Sequence, residues 1–168
     1  PDRLATYTAV STSHPKAHAQ RMNEDPEQHR RLQYLRNIQE KPERTRDHYL
    51  GNGGLRLDAI YENAIPADVR RSYIARLCEP GVMDAVLKYY RAMGLGEEAP
   101  MTPITVPTQY IWGSGDVAFT RDAALLTADY VEGDYRFLPL EGATHWLPEE
   151  RAEDVAQAIL EWSSRYPR

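Results

Sequence analysis

The stretch Thr105-Val106-Pro107-Thr108-Gln109-Tyr110-Ile111-Trp112-Gly113-Ser114-Gly115-Asp116 is an apolar run that ends in a glycine-containing turn and an acidic residue. Its β-branched and aromatic side chains predict a buried strand over 106–112. A second predicted strand, 134–139, leads in the same way into Leu140-Glu141-Gly142-Ala143-Thr144-His145-Trp146. Each turn therefore presents one ionisable side chain where a strand ends, first Asp116 and then His145.

Helical patterns follow both strands, which indicates an α/β fold. A helix is predicted over 121–131, where Thr120 can cap its first turn, and another over 150–164, where Val155, Ile159 and Trp162 share one face. A strand is also predicted over 5–11. Strand–helix–strand–helix segments of this length are typical of parallel sheets with right-handed crossovers.

The middle of the chain is predicted to be helical and to form an insertion. A helix opening at Pro26 would reach Gln39, with Glu27, Arg30 and Arg31 facing solvent. The remaining segments are predicted as a helix over 42–50, a stop at 51–54, a helix that starts at Pro66 and is broken at Pro80-Gly81, a helix over 82–93 and a linker over 94–103. We therefore expect core strand 1–13, helical cap 14–100 and C-terminal core 101–168.

Composition excludes several classes of function. The net charge of −5 argues against a nucleic-acid partner, which would require a basic face. No apolar run is long enough to span a membrane and no signal peptide is visible, so we expect a cytoplasmic protein without a membrane partner. The single Cys78 fits a reducing compartment, and its helical context predicts a packed thiol. No cluster with metal-ligand spacing and no phosphate-binding loop is present, so neither a metal nor a cofactor is expected.

The two strand-end residues suit acid–base chemistry. A neutral imidazole can take a proton from a nucleophile or from water, and an adjacent carboxylate fixes its tautomer and stabilises the imidazolium. Taken singly, Asp116 could be a turn or helix-capping residue, and His145 a loop histidine without a partner. Because both follow successive parallel strands, they are predicted to meet at one edge of the sheet as a catalytic pair.

In these segments the chain resembles the C-terminal part of an α/β-hydrolase, in the branch of epoxide hydrolases and haloalkane or fluoroacetate dehalogenases. The likeness runs through nearly the whole chain in order. The segments that carry it are Pro1–Pro15 (the sixth strand and its exit), Leu87–Met93 (the last cap helix), Val106–Asp116 (the strand with the triad acid) and Gly142–Glu150 (the loop with the triad histidine).

The resemblance implies a nucleophile that we do not find in this sequence. The family carries it on a tight elbow, Gly-x-Ser-x-Gly or Gly-x-Asp-x-Gly, before the sixth strand, and neither pattern occurs here. We therefore expect the N-terminal part of the same enzyme, as a preceding segment or a second chain, to be a partner. Alone, the chain is expected to be inactive.

The resemblance also implies an activity and a pocket. An upstream Asp would form an ester with a small apolar epoxide, and water activated by His145 and Asp116 would cleave it. The alternatives are a serine esterase or lactonase, a dehalogenase, and a non-catalytic ligand-binding protein; an unrelated small α/β protein is a further reading. Tyr90 matches the cap tyrosine that assists ring opening, with packing in the cap as its structural alternative. Further candidate pocket residues are Tyr34, Asn37, His14 and Trp146; for His14, stabilising the turn before Pro15 is the alternative.

Overall fold

The computed structural model describes residues 3–61, 64–92 and 102–167. Its strands are β1 (Tyr7–Val10), β2 (Thr108–Gly113) and β3 (Tyr135–Leu140). Its helices are α1 (Pro15–Glu24), α2 (Pro26–Arg31), α3 (Gln33–Glu40), α4 (Pro42–Ile60), α5 (Ala67–Leu77), α6 (Val82–Ala92), α7 (Arg121–Leu126), α8 (Leu147–Glu150) and α9 (Ala152–Ser164), with a 3₁₀ turn at Thr127–Tyr130. The predicted residues Pro1, Asp2 and Met93 and most of the 94–103 linker lie outside the described residues.

The three strands form one parallel sheet in the order β1-β2-β3. Tyr7 is opposite Thr108 in the first pairing, and Thr108 is opposite Tyr135 in the second. The expected α/β class with parallel strands is confirmed. Because all three strands run the same way, the loops after them leave from one edge of the sheet.

β2 is the central strand and is buried along its whole length. Alternate side chains of a strand point to opposite faces, so Ile111 packs with Leu147 and Val155 on one face, while Tyr110 and Trp112 pack on the other. This two-sided burial explains the apolar segment Tyr110-Ile111-Trp112 in the middle of the strand.

Helix α9 packs on the face of the sheet that contains Ile111, and its buried residues differ from the predicted ones. Val155, Ala158 and Trp162 are buried, whereas Ile159 is exposed. The prediction for Ile159 is therefore wrong. The spacing i, i+3, i+7 also describes one helical face, and the small Ala158 packs in the buried cluster around Ile111 of β2.

The contacts divide the chain into two compact units. One comprises Pro1–Arg31 and Gly96–Arg168 and contains the sheet; the other is Leu32–Leu95. The predicted helix from Pro26 to Gln39 is interrupted at Leu32, where the units divide. The assignment of 14–100 to a cap stays a prediction, and the second unit occupies its central part.

The helices α1 and α2 pack within the unit that contains the sheet. The backbone N–H of His14 donates to Thr127 Oγ1 at 3.0 Å, and the Tyr130 hydroxyl donates to Gln20 Oε1 at 3.0 Å. These bonds join the start of α1 to the 3₁₀ turn. They are the physical reason why the compact unit extends beyond β1.

The second unit has its own apolar core. Ile38, Leu57, Met83 and Leu87 are buried together. The predicted stop at 51–54 is confirmed, because α4 is interrupted there by a run of left-handed residues that starts at Asn52. Cys78, predicted to be packed, is exposed instead, because it lies at the end of α5, a helix without a fully buried residue.

Candidate active site

Asp116 lies three residues after the end of β2, in a turn closed by its own backbone. Its N–H donates to the carbonyl oxygen of Gly113 at 3.0 Å, and Gly115 N–H donates to Ala143 O at 2.9 Å. The second bond joins this turn directly to the loop after β3. The parallel strands and this backbone hydrogen bond therefore bring the two loops together without any contribution from side chains.

The two loops approach so closely that only glycine fits at Gly113. A β-carbon there would overlap the carbonyl oxygens of Ala143 and Thr144. Across the interface the loop turns back at Gly142, whose φ of +72° is in the left-handed region that favours glycine. The glycines picked out in the sequence thus serve a close approach and a tight turn.

The carboxylate of Asp116 is buried and receives several hydrogen bonds. Its side chain has 0% exposure. Oδ1 accepts the backbone N–H groups of Ala118 at 2.7 Å and Phe119 at 2.9 Å. Burial of a carboxylate is tolerable when donors surround it, so this turn holds the group in one orientation.

His145 completes the arrangement. Its Nδ1 lies 3.0 Å from Oδ2 and 3.1 Å from Oδ1 of Asp116. In the neutral ring, this hydrogen bond places the proton on Nδ1 and leaves the lone pair on Nε2. Nε2 makes no hydrogen bond with any of the described residues, and the side chain is 26% exposed. The arrangement presents a proton acceptor beside an oriented carboxylate.

The histidine loop is held on both sides of His145. Thr144 donates its backbone N–H and its hydroxyl to Glu150 Oε2, each at 2.8 Å. The Trp146 ring packs edge-on against the imidazole, with centroids 5.4 Å apart, and the Phe119 ring lies 6.2 Å from it. The imidazole therefore lies beside two aromatic rings.

Burial keeps a second ionisable group near the pair uncharged. Tyr110, fully buried on β2, has its pKa raised by burial and secondarily by the charge of Asp116. The phenol therefore stays protonated and adds no negative charge beside the carboxylate. Within the described parts of the chain, no group of three or more His, Cys, Asp or Glu side chains is arranged to hold a metal ion.

The chain is similar to known proteins in sequence and in structure. Epoxide hydrolase A of Mycobacterium tuberculosis is 37% identical over 59 residues, which are 35% of this chain and 18% of that protein. Haloalkane dehalogenase 2 of the same organism is 34% identical over 67 residues, 40% of this chain and 23% of that protein. A crystal structure of Bacillus megaterium epoxide hydrolase with an inhibitor superimposes with a TM-score of 0.80 at 18% identity, covering 96% of this chain and 61% of that one.

The chain has the α/β-hydrolase fold. The resemblance to epoxide hydrolases and haloalkane dehalogenases is thereby confirmed. The matches take in less than two thirds of the length of each of these relatives. No protein-family model matches the chain.

Within this α/β-hydrolase fold, His14 is a helix-capping residue. Its Nδ1 accepts the backbone N–H of Lys16 at 3.2 Å at the start of α1, and its ring stacks on Tyr130 with centroids 4.8 Å apart. Burial, and then the charge of Lys16, lower the pKa of His14. These contacts agree with the alternative that His14 stabilises the turn before Pro15. A role of His14 in the pocket stays a prediction.

Three predicted pocket residues lie in the second unit, Leu32–Leu95. Tyr34 and Tyr90 pack edge-on with ring centroids 6.3 Å apart, beside the apolar core of that unit. Asn37 lines a separate cavity of about 360 Å³ between α3 and α4. Burial and the neighbouring Tyr89 raise the pKa of Tyr90, so its phenol is a neutral donor. The catalytic and substrate roles of these residues stay predictions.

Sequence reasoning missed the residues of α2 that contact the acid loop. Gln28 is fully buried, with its amide bonded to Ala118 and Thr120. Arg31, predicted to face solvent, donates to the carbonyl oxygen of Asp116. That prediction is wrong because α2 ends against this loop. Polar residues on a short helix usually indicate an exposed face, so no pattern in the sequence pointed to these contacts.

No helix among residues 3–61, 64–92 and 102–167 is long and apolar enough to cross a membrane.

Proposed function

We propose that this chain supplies the acid and the base of an epoxide-hydrolase-like enzyme. The observation that carries the proposal is the 3.0 Å hydrogen bond from His145 Nδ1 to Asp116, which leaves Nε2 without a partner among the described residues. A group of this kind activates water or a nucleophile. The similarity to epoxide hydrolase A supports epoxides as the substrate class.

The proposed reaction has two steps. An aspartate outside this chain attacks one epoxide carbon, the C–O bond to that carbon breaks, and a hydroxyalkyl ester forms on the enzyme. Tyr90 donates a hydrogen bond to the oxygen that is released and then transfers its proton to it, so that the developing alkoxide becomes the hydroxyl of the ester. The substrate is a small apolar epoxide.

His145 acts in the second step. Nε2 takes a proton from water as the water oxygen adds to the ester carbonyl, and Asp116 stabilises the imidazolium that forms. The tetrahedral intermediate then expels the diol oxygen, which receives the proton from His145. The second proton of the water returns to the Tyr90 phenolate, so the products are a diol and the free aspartate, and no cofactor is consumed.

A dehalogenase is the second candidate, supported by the match to haloalkane dehalogenase 2. The same aspartate would displace a halide from carbon, and the same pair would hydrolyse the resulting ester. A serine nucleophile would instead give an esterase or lactonase, in which His145 deprotonates the serine hydroxyl. The three activities therefore differ in the nucleophile and in the leaving group.

One experiment separates these activities. The full polypeptide in which this sequence occurs is offered an aryl epoxide, a haloalkane and an activated ester, with the 168-residue chain alone as reference. We expect the epoxide to be hydrolysed and the 168-residue chain alone to be inactive. Turnover of the haloalkane or ester alone would select the corresponding alternative, and ligand binding without any turnover would indicate a binding protein.

Isotope labelling identifies the nucleophile. In a single turnover in ¹⁸O-water, an aspartate nucleophile gives a diol without ¹⁸O, because the new oxygen comes from the enzyme. Direct attack of water would place ¹⁸O in the diol and would contradict the ester intermediate.

A further inference from the structure

Helix α2 contacts the loop that carries Asp116 through two polar side chains. Gln28 and Arg31 lie three residues apart, so they project from the same side of the helix. Between them they contact the loop from Asp116 to Thr120. All of these residues belong to the compact unit that contains the sheet.

Gln28 uses both ends of its amide. Nε2 donates to the carbonyl oxygen of Ala118 at 2.7 Å, and Oε1 accepts the backbone N–H of Thr120 at 2.8 Å. The Thr120 hydroxyl donates to the same Oε1 at 3.1 Å while its oxygen accepts the N–H of Ala123, which caps α7. Buried backbone groups need hydrogen-bond partners. The Gln28 amide provides such partners for Ala118 and Thr120, which lie outside any strand or helix.

The same loop orients the carboxylate. The backbone N–H groups of Ala118 and Phe119 donate to Asp116 Oδ1, and Gln28 holds the peptide units on either side of Phe119. Arg31 donates to the carbonyl oxygen of Asp116, and its Nη1 lies 3.4 Å from the carbonyl oxygen of Phe119. A displacement of the loop would therefore turn the carboxylate away from His145.

We propose that Gln28 and Arg31 are positioning residues, which hold the loop 116–120 so that the Asp116 carboxylate points at His145 Nδ1. Neither contacts the imidazole. Their effect on catalysis rests on the proposed function, whereas their effect on the Asp116–His145 hydrogen bond does not. The two effects are measured separately below.

A merely structural role for these residues predicts a different result. Gln28 would then stabilise the unit like any buried hydrogen-bonded amide, and its loss would lower the free energy of unfolding without altering the imidazole. Gln109 is the matched control, since it is equally buried on β2 and bonds Arg136 instead of the loop. For Arg31 the control is Arg30, which shares its partner Glu27 but does not contact the loop.

The first measurement is the NMR signal of the His145 Nδ1–H proton in the full polypeptide in which this sequence occurs, assigned by its loss in His145→Gln. A hydrogen bond to a carboxylate holds this proton downfield and protects it from exchange. We expect Gln28→Met and Arg31→Met to move the signal upfield or to broaden it. Gln109→Met and Arg30→Met should leave it in place, even where Gln109→Met lowers stability.

The second measurement is turnover by the full polypeptide. We expect Gln28→Met and Arg31→Met to lower kcat about 10- to 100-fold with little change in KM, because misalignment affects the chemical step. An altered proton signal without measurable turnover in the parent protein would contradict the proposed function and leave the positioning role intact. An unmoved signal in both variants would overturn the positioning role.

A variant that fails to fold does not end the test. If Gln28→Met loses its helical circular dichroism, the test uses Arg31→Met with Arg30→Met as its control. Both arginines are at least partly exposed, so these two variants are expected to fold. A signal that is the same in these two variants would then overturn the proposal.

Discussion

Gly113 lies so close to Ala143 that a β-carbon at Gly113 would be 2.8 Å from the Ala143 carbonyl carbon and nearer still to its oxygen. The acid loop and the histidine loop therefore meet backbone to backbone. Their contact does not depend on the flexible ends of side chains.

We expect Gly113→Ala to destabilise the chain by about 3 kcal/mol, as overpacking against rigid atoms does. The measurement is the free energy of unfolding in urea. Gly51→Ala is the control, because a β-carbon at Gly51 meets nothing within 4 Å and its φ of −58° suits alanine. Equal stability of the two variants would contradict the close approach.

Asp116→Asn is expected to lower turnover by the full polypeptide about 10³- to 10⁴-fold. An amide can donate to Nδ1, which would favour the tautomer with its proton on Nε2, the wrong atom for a base. Because formation of the ester does not need His145, mass spectrometry should detect a substrate-sized adduct on the protein. The control is Asp122→Asn, at an exposed position, which should retain full activity. Full activity of Asp116→Asn would contradict a catalytic role for the Asp116–His145 pair.

Stability should fall as the pH drops below about 6.5, partly because of His18. Burial against the edge of Phe119 lowers the pKa of His18 below its ordinary value of 6.5. The unfolded state then binds more protons, so this contribution is complete above pH 6.5 and is lost as the pH falls toward the folded-state pKa.

Replacing His18 tests this contribution. His18→Leu should flatten the dependence of the urea midpoint on pH below 6.5, and the exposed His29→Leu should leave that dependence unchanged. A profile that is the same for His18→Leu and the parent would contradict the assignment.

Glu150→Ala should loosen the histidine loop. It removes the acceptor of two hydrogen bonds from Thr144, and we expect a loss of about 1–3 kcal/mol in the free energy of unfolding. Glu153→Ala, at an exposed position in the first turn of α9, is the control and should cost little. Matching losses in the two variants would show that the Thr144 contacts contribute nothing.

Cys78 should react with a thiol reagent in the folded chain, since its side chain is exposed. The measurement is the rate of labelling without denaturant, with Cys78→Ser as the blank. Labelling that requires denaturant would restore the sequence-based prediction of a packed thiol.

The sequence predicted the parts of the site that are fixed by strand ends. Asp116 and His145 could be found because each follows an apolar run and a glycine-containing turn, and parallel strands bring such turns to one edge. The hydrogen bond between them is present at the predicted place. Their catalytic role is a proposal.

The contacts of α2 were not predictable in the same way. Gln28 is polar, and burial of a polar side chain depends on a distant loop, residues 118–120, that no local pattern reveals. The prediction of the buried face of α9 was wrong for another reason. Ala158 and Ile159 are adjacent and both apolar, so periodicity alone could not decide which one faces the sheet.

The strand order β1-β2-β3 has a practical consequence for handling this chain. Among the described residues, no strand pairs with the outer side of β1 or of β3, so each offers a row of free amide and carbonyl groups. Such rows recruit any extended segment nearby, including the same edge of another copy. Concentrated samples of the 168-residue polypeptide should therefore form soluble clusters, and light scattering at increasing protein concentration would register their growth.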